Sequence, residues 1–178
     1  MRRLLLLLLL VTPAAASEEL DPGGVTNPEE MTLNRVIDNI RRGETSMTNC
    51  AVGYMMTKQG KHGNAREVFS ACADDGWTRA MTWMSQLDNN GLAGPYDPDA
   101  AAQWDRRAAE AGDPVGKFNY GIDLLRGHGV ARDEARGRAL VDEAALHGLA
   151  DARRLQAAGY DLDVVTPDAD NWKYAPLF

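Results

Sequence analysis

The chain has 178 residues, 44% hydrophobic and 25% charged, with 26 acidic side chains against 19 basic ones and a net charge of −7. That acidity speaks against a nucleic-acid partner, and the length suits one ordinary domain.

Met1-Arg2-Arg3 runs into Leu4 to Leu10 and Val11, then Thr12-Pro13-Ala14-Ala15-Ala16: a charged start, an apolar segment and a small-residue cleavage site. Residues 1–16 are therefore expected to be a signal peptide and the protein to be exported, to the periplasm or beyond. The apolar segment is too short for a membrane span, which takes roughly 20 residues. Cleavage after Ala16 removes Arg2 and Arg3 and shifts the net charge from −7 to −9. No cysteine ends the segment to carry a lipid, and no later apolar run is long enough to cross a bilayer.

Residues 17–27 hold Ser, Glu, Asp, Pro and Gly with little apolar content and are expected to be a loose leader. Asn27-Pro28-Glu29-Glu30 combines an N-cap, a proline in the first turn and a glutamate three residues after the cap, which predicts a helix over 28–42. Leu33, Val36, Ile37 and Ile40 lie on one stripe of it, and Arg41-Arg42-Gly43 supplies a cationic end and a stop.

From about residue 48 the chain repeats every 36 residues. Gly76, Gly112 and Gly148 share one phase; so do Cys72, Ala108 and Ala144, then Ala73, Ala109 and Ala145, then Asp97 and Asp133. Small residues at a fixed period mark places where helices approach closely. The spacing predicts paired helices in units 48–78, 79–114 and 115–150, then a closing helix over 151–158 and an acidic, aromatic tail over 159–178. Ala101, Trp104, Ala108, Ala109 and Gly112 of one second helix answer Gly137, Leu140, Ala144, Ala145 and Gly148 of the next.

Cys50 and Cys72 are equidistant from position 61, inside the turn Gly60-Lys61-His62-Gly63, so they sit level on the two helices of the first pair. A disulfide is open to them if both side chains point inward. The alternative is two buried thiols acting as small apolar residues. A redox-active pair is not expected, since no Cys-x-x-Cys spacing is present.

Motifs for chemistry are missing. His62 and His128 lie in glycine turns and His147 at a helix end, none with a second ligand at helical spacing, so no metal is expected. Asp161, Asp163, Asp168 and Asp170 lack the fixed arrangement of a calcium loop. No Gly-x-Ser-x-Gly elbow, Ser-x-x-Lys pair or phosphate loop occurs, and neither a catalytic residue nor a cofactor is expected.

The run Phe118-Asn119-Tyr120-Gly121 through Leu124, Gly127-His128-Gly129-Val130, Asp133, Leu140, Ala144-Ala145 and Gly148 resembles the Sel-one-like repeat, a relative of the tetratricopeptide repeat. Unit 79–114 keeps Asp97, Ala101, Trp104, Ala108, Ala109 and Gly112, but Asp88 stands where the family favours an aromatic. The resemblance implies an all-α, right-handed solenoid of antiparallel helix pairs, acting as an adaptor for other proteins. Cysteine-rich secreted members link the two helices of a unit, which adds to the case for a bridge between Cys50 and Cys72.

By the same likeness, the first helices line the concave wall. Stepping 100° per residue away from Gly116, Tyr120, Gly121 and Leu124 places Phe118, Asn119, Ile122 and Arg126 on that wall, with Trp83, Gln86 and Asn90 from the unit before. These seven are the candidate contacts for a protein or peptide partner in the cell envelope. The competing reading packs Trp83, Phe118 and Ile122 between neighbouring first helices. A second function class, also from secreted relatives, is a cell-wall-active protein or a binder of peptidoglycan fragments. The chain is expected to be a monomer. The tail, with Trp172, Tyr174 and Phe178, either covers the open end of the array or binds a partner.

Overall fold

A computed structural model describes residues 32–165. The signal-like start, the leader, the Asn27-Pro28 cap and the tail beyond Val165 lie outside the described residues. Within them are eight α-helices, one short 3-10 turn at Leu162–Val164 and no strand. The helices are α1 (Leu33–Arg41), α2 (Met47–Lys58), α3 (His62–Asp74), α4 (Thr78–Asn89), α5 (Pro98–Glu110), α6 (Pro114–Arg126), α7 (Glu134–Leu146) and α8 (Ala150–Ala157). Each packs on its neighbour in the chain, and α4 also touches α6. This is a repeat array of helix pairs.

Two recurring devices produce the 36-residue period. The first ends each second helix. Gly76, Gly112 and Gly148 adopt left-handed φ of 91°, 88° and 94°, a conformation that Cβ-bearing residues avoid. Their N–H groups donate to the carbonyls of Ala73, Ala109 and Ala145 at 3.1, 3.0 and 3.0 Å. The next N–H, of Trp77, Asp113 or Leu149, reaches back to Cys72, Ala108 or Ala144 at 3.0, 3.1 and 3.1 Å. That pair of bonds is a Schellman cap; it satisfies carbonyls that the helix end would otherwise orphan and turns the chain into the next first helix.

The second device is close approach. Cys72, Ala108 and Ala144 are buried, as are Ala80, Gly116 and Ala152 at the start of the helix that follows. A methyl group on Gly116 would stand 2.5 Å from the Ala108 methyl, and one on Gly137 would stand 2.8 Å from the Gly121 carbonyl oxygen. Second helices begin alike too. Asp97 and Asp133 cap α5 and α7 by accepting from the Ala100 and Arg136 N–H groups at 2.9 and 3.1 Å.

The N-terminal helix differs from its expected start. The described helix begins at Leu33, with Thr32 in extended conformation and its hydroxyl accepting from the Arg35 N–H at 3.2 Å. Extended backbone at Thr32 breaks any helix that would run through from residue 28. Val36, Ile37 and Ile40 are buried against α2 and α3. His62 also departs from expectation: it is the first residue of α3, not part of the turn.

Cys50 and Cys72 form a disulfide between α2 and α3, with Cα atoms 5.9 Å apart. Closing a loop of this size stabilises a fold by about 3 kcal/mol in the chain-entropy treatment. The apolar core divides into a large cluster across α1 to α4 that reaches Ala108 of α5, a second across α6 to α8 that includes Val165, and a small third of Ala109, Tyr120 and Leu124.

A candidate binding groove along the first helices

The first helices of the pairs bound a groove of about 650 Å³. Its lining comes from α2, α4 and α6, from the start of α8 and, through one side chain, from α5. Trp83, Gln86, Asn90, Phe118, Asn119, Ile122 and Arg126 all border this one groove. A smaller hollow of about 270 Å³ shares Trp83, Gln86 and Asn119 with it.

Trp83 is half-buried. Its ring stacks on Phe69, with centroids 5.7 Å apart and planes within 6°, and meets Tyr54 at 5.3 Å. Lys58 lies 5.4 Å above the Tyr54 ring. Gln86 offers its backbone carbonyl to the Asn90 amide at 2.7 Å. The lining therefore sets the Trp83 ring beside the amides of Gln86, Asn90 and Asn119.

Phe118 and Ile122, for which a partner-facing and a packed position are both open from the sequence, border the groove but are only 9% and 3% exposed and belong to the cluster that holds Val141, Ala145, Ala152 and Leu155. That cluster joins α6 to Val141, Ala144 and Ala145 of α7 and to Ala152 and Leu155 of α8. A first helix inside a stack is flanked by the first helices on either side as well as by its own partner, so less of it faces solvent than its own helical wheel suggests. Trp83 similarly packs on α2 and α3, although it keeps half-exposed surface on the groove.

Neither a motif nor the family resemblance points to Asp105 on α5. It is 2% exposed and contributes to the groove lining. The Ser85 hydroxyl on α4 donates to Oδ2, and the Asn119 amide on α6 donates to Oδ1 at 3.0 Å. Burial pushes this carboxyl up to about 7, against the opposing pull of those two hydrogen bonds, and Asp113 adds to the rise. A signal for it existed in the period: Phe69, Asp105 and Val141 occupy one phase, and both companions are buried. Asp88, the departure from the family's aromatic, is also buried; it pairs with Arg66 of α3 at 2.7 Å, and Arg66 donates to the Leu92 carbonyl at 3.1 Å.

The lining contains neither histidine nor cysteine, and its one serine, Ser85, gives its hydroxyl to Asp105. His128 shares a 2.9 Å hydrogen bond with Asn89, and His147 one of 2.7 Å with the Glu143 carbonyl. Among the described residues no group of three or more His, Cys, Asp or Glu side chains is placed to hold a metal ion, and no helix is long and apolar enough to cross a membrane.

The sequence matches no family model and no curated protein. Among solved structures, a Sel1 repeat protein from Oxalobacter formigenes superposes with a TM-score of 0.59 at 24% identity, covering 70% of this chain and 97% of that one. Cysteine-rich protein B of Helicobacter pylori follows with a TM-score of 0.58 at 19% identity, over 69% of this chain and 93% of that one. The fold is that of the Sel1-like repeat. A protective antigen of uropathogenic Escherichia coli that displays the same fold matches with a TM-score of 0.51 at 19% identity. This chain covers 35% of that larger protein. Within the Sel1-like fold, the Schellman glycines and the small residues described above define the repeat, and the groove side chains vary from unit to unit.

Proposed function

We propose that this chain is an exported protein-binding module, whose groove between α2, α4, α6 and α8 takes a protein or peptide partner in the cell envelope. The observation that carries the reading is the groove itself: about 650 Å³, lined by Trp83 together with Gln86, Asn90 and Asn119. Aromatic anchors beside amides are the groups that dominate peptide recognition, the first through burial and the second through hydrogen bonds to backbone. The Cys50–Cys72 disulfide and the signal-like residues 1–16 support an oxidising compartment. The Sel1-like fold supplies the extended inner surface that helical arrays use for partners.

The test blocks the groove without touching the core. Thr82→Arg with Gln86→Arg puts two long side chains into the lining from half-buried positions on α4. In pull-downs from envelope extract, the wild-type chain should retain a partner that this double variant loses, while Gln103→Arg on the exposed side of α5 keeps it. Identical partner lists for all three would count against the groove.

A further inference from the structure

One junction recurs three times along the array, between a second helix and the first helix after it, at positions fourteen residues apart. In the first copy it is the Phe69–Trp83 stack. In the third it is Val141 with Leu155, both fully buried in one apolar cluster. In the middle copy it is Asp105 with Asn119, joined by a hydrogen bond. The fold thus closes this junction with apolar side chains on either side, and burying a carboxyl in the middle one is costly without a counter-charge. Ser85 and Asn119 each occupy one oxygen, which leaves about two of the roughly four acceptor positions of a carboxylate unused. The charge that bears on Asp105 is that of another acid, Asp113.

We infer that the middle of the groove is a guanidinium site, in which Asp105 receives an arginine side chain of the partner. This rests on the groove being the binding face, as proposed above. Asn119 lines the groove and holds Oδ1; turning its amide aside opens that oxygen, and a planar fork can then use both carboxylate oxygens where an ammonium group meets one. Trp83 lines the same groove and offers the aromatic surface on which guanidinium groups pack. Of the other charged groups, Asp113 at the α5–α6 turn acts on Asp105, and Lys58 on α2, Asp123 and Arg126 on α6 and Asp151 on α8 line the same groove. From α4, Ser85 faces it, while Asp88 is engaged with Arg66.

The site is tested by titrating the 15N-labelled full chain with Nα-acetyl-arginine amide and, separately, with Nα-acetyl-citrulline amide, which keeps the shape and removes the charge. At pH 8 the arginine probe should shift the Trp83 indole and Asn119 side-chain amide signals saturably, and bind at least about tenfold more tightly than citrulline. Asp105→Asn should bring the two probes to equal affinity while the spectrum remains that of the folded chain. Lowering the pH from 8 to 6 should weaken arginine binding to the wild type about tenfold, because the carboxyl gains its proton near 7. Equal affinities for the two wild-type titrations, discrimination that survives in Asp105→Asn, or shifts confined to other surfaces would overturn the site. If the pull-down retains its partner through the groove but the probes are not distinguished, the guanidinium site fails and the binding role stands.

Discussion

At the scale of single residues, Asp105 sets the sharpest expectation. A carboxyl whose pKa is about 7 in the folded chain and near 3.9 unfolded binds its proton more strongly when folded. Its charged form therefore weighs against folding above pH 7, and that burden lifts as the pH falls through 7 toward 4. Asp105→Asn keeps the shape and an acceptor for Asn119 but does not titrate. It should be more stable than wild type at pH 8, and the gain should exceed that at pH 5 by on the order of 2 kcal/mol in urea melts. A loss of stability equal at both pH values would show that the carboxyl is not desolvated as described. Asp105 is hard to read from the sequence because the residues that the repeats share mark the fold; the informative fact is the one acidic side chain at a phase held elsewhere by Phe69 and Val141. Phe118 and Ile122 stay ambiguous in the sequence for a complementary reason. A helical wheel shows the faces of one helix, but Phe118 and Ile122 share their cluster with side chains of α7 and α8, up to some thirty residues further on.

At the scale of helices, the close approach of α5 and α6 makes one substitution act in opposite directions at two places. Gly116→Ala would set its methyl 2.5 Å from Ala108 and 2.7 Å from backbone, so the helices must part. It should lower stability by about 1–3 kcal/mol in thermal or denaturant melts, even after the gain in helix propensity. Gly63→Ala, on the exposed side of α3 with nothing within 4 Å of the new methyl, should instead raise stability by up to ~1 kcal/mol. Two losses, or two gains, would contradict the packing account. These contacts were legible as a period of small residues before any helix was placed, since only a close approach gives glycine and alanine a fixed phase. The start of α1 was less so: Asn27-Pro28 and Thr32 both carry cap chemistry, and the described helix uses Thr32.

At the scale of the whole molecule, the apolar material falls into a large cluster from α1 to α4 that reaches Ala108 of α5, a second from α6 to α8 and a small third of Ala109, Tyr120 and Leu124, while the Ser85–Asp105–Asn119 contact between α4, α5 and α6 is polar. The groove crosses that middle region. Stability is thus concentrated in the parts that repeat, while the varying side chains gather where a ligand can be met, the division of labour expected of a helical array. The fold was open to reading because nested hairpins impose one period on the chain; the groove was open only in outline, because its shape depends on contacts between units that no single unit encodes. The most direct measurement of the account's claim, that the first helices form the partner-binding wall, is photo-crosslinking in the producing cell with p-benzoylphenylalanine placed at Gln86 in the groove or at Gln103 on the exposed side of α5. The account predicts a discrete crosslinked partner from position 86 and none from position 103; crosslinks from 103 with none from 86 would contradict it.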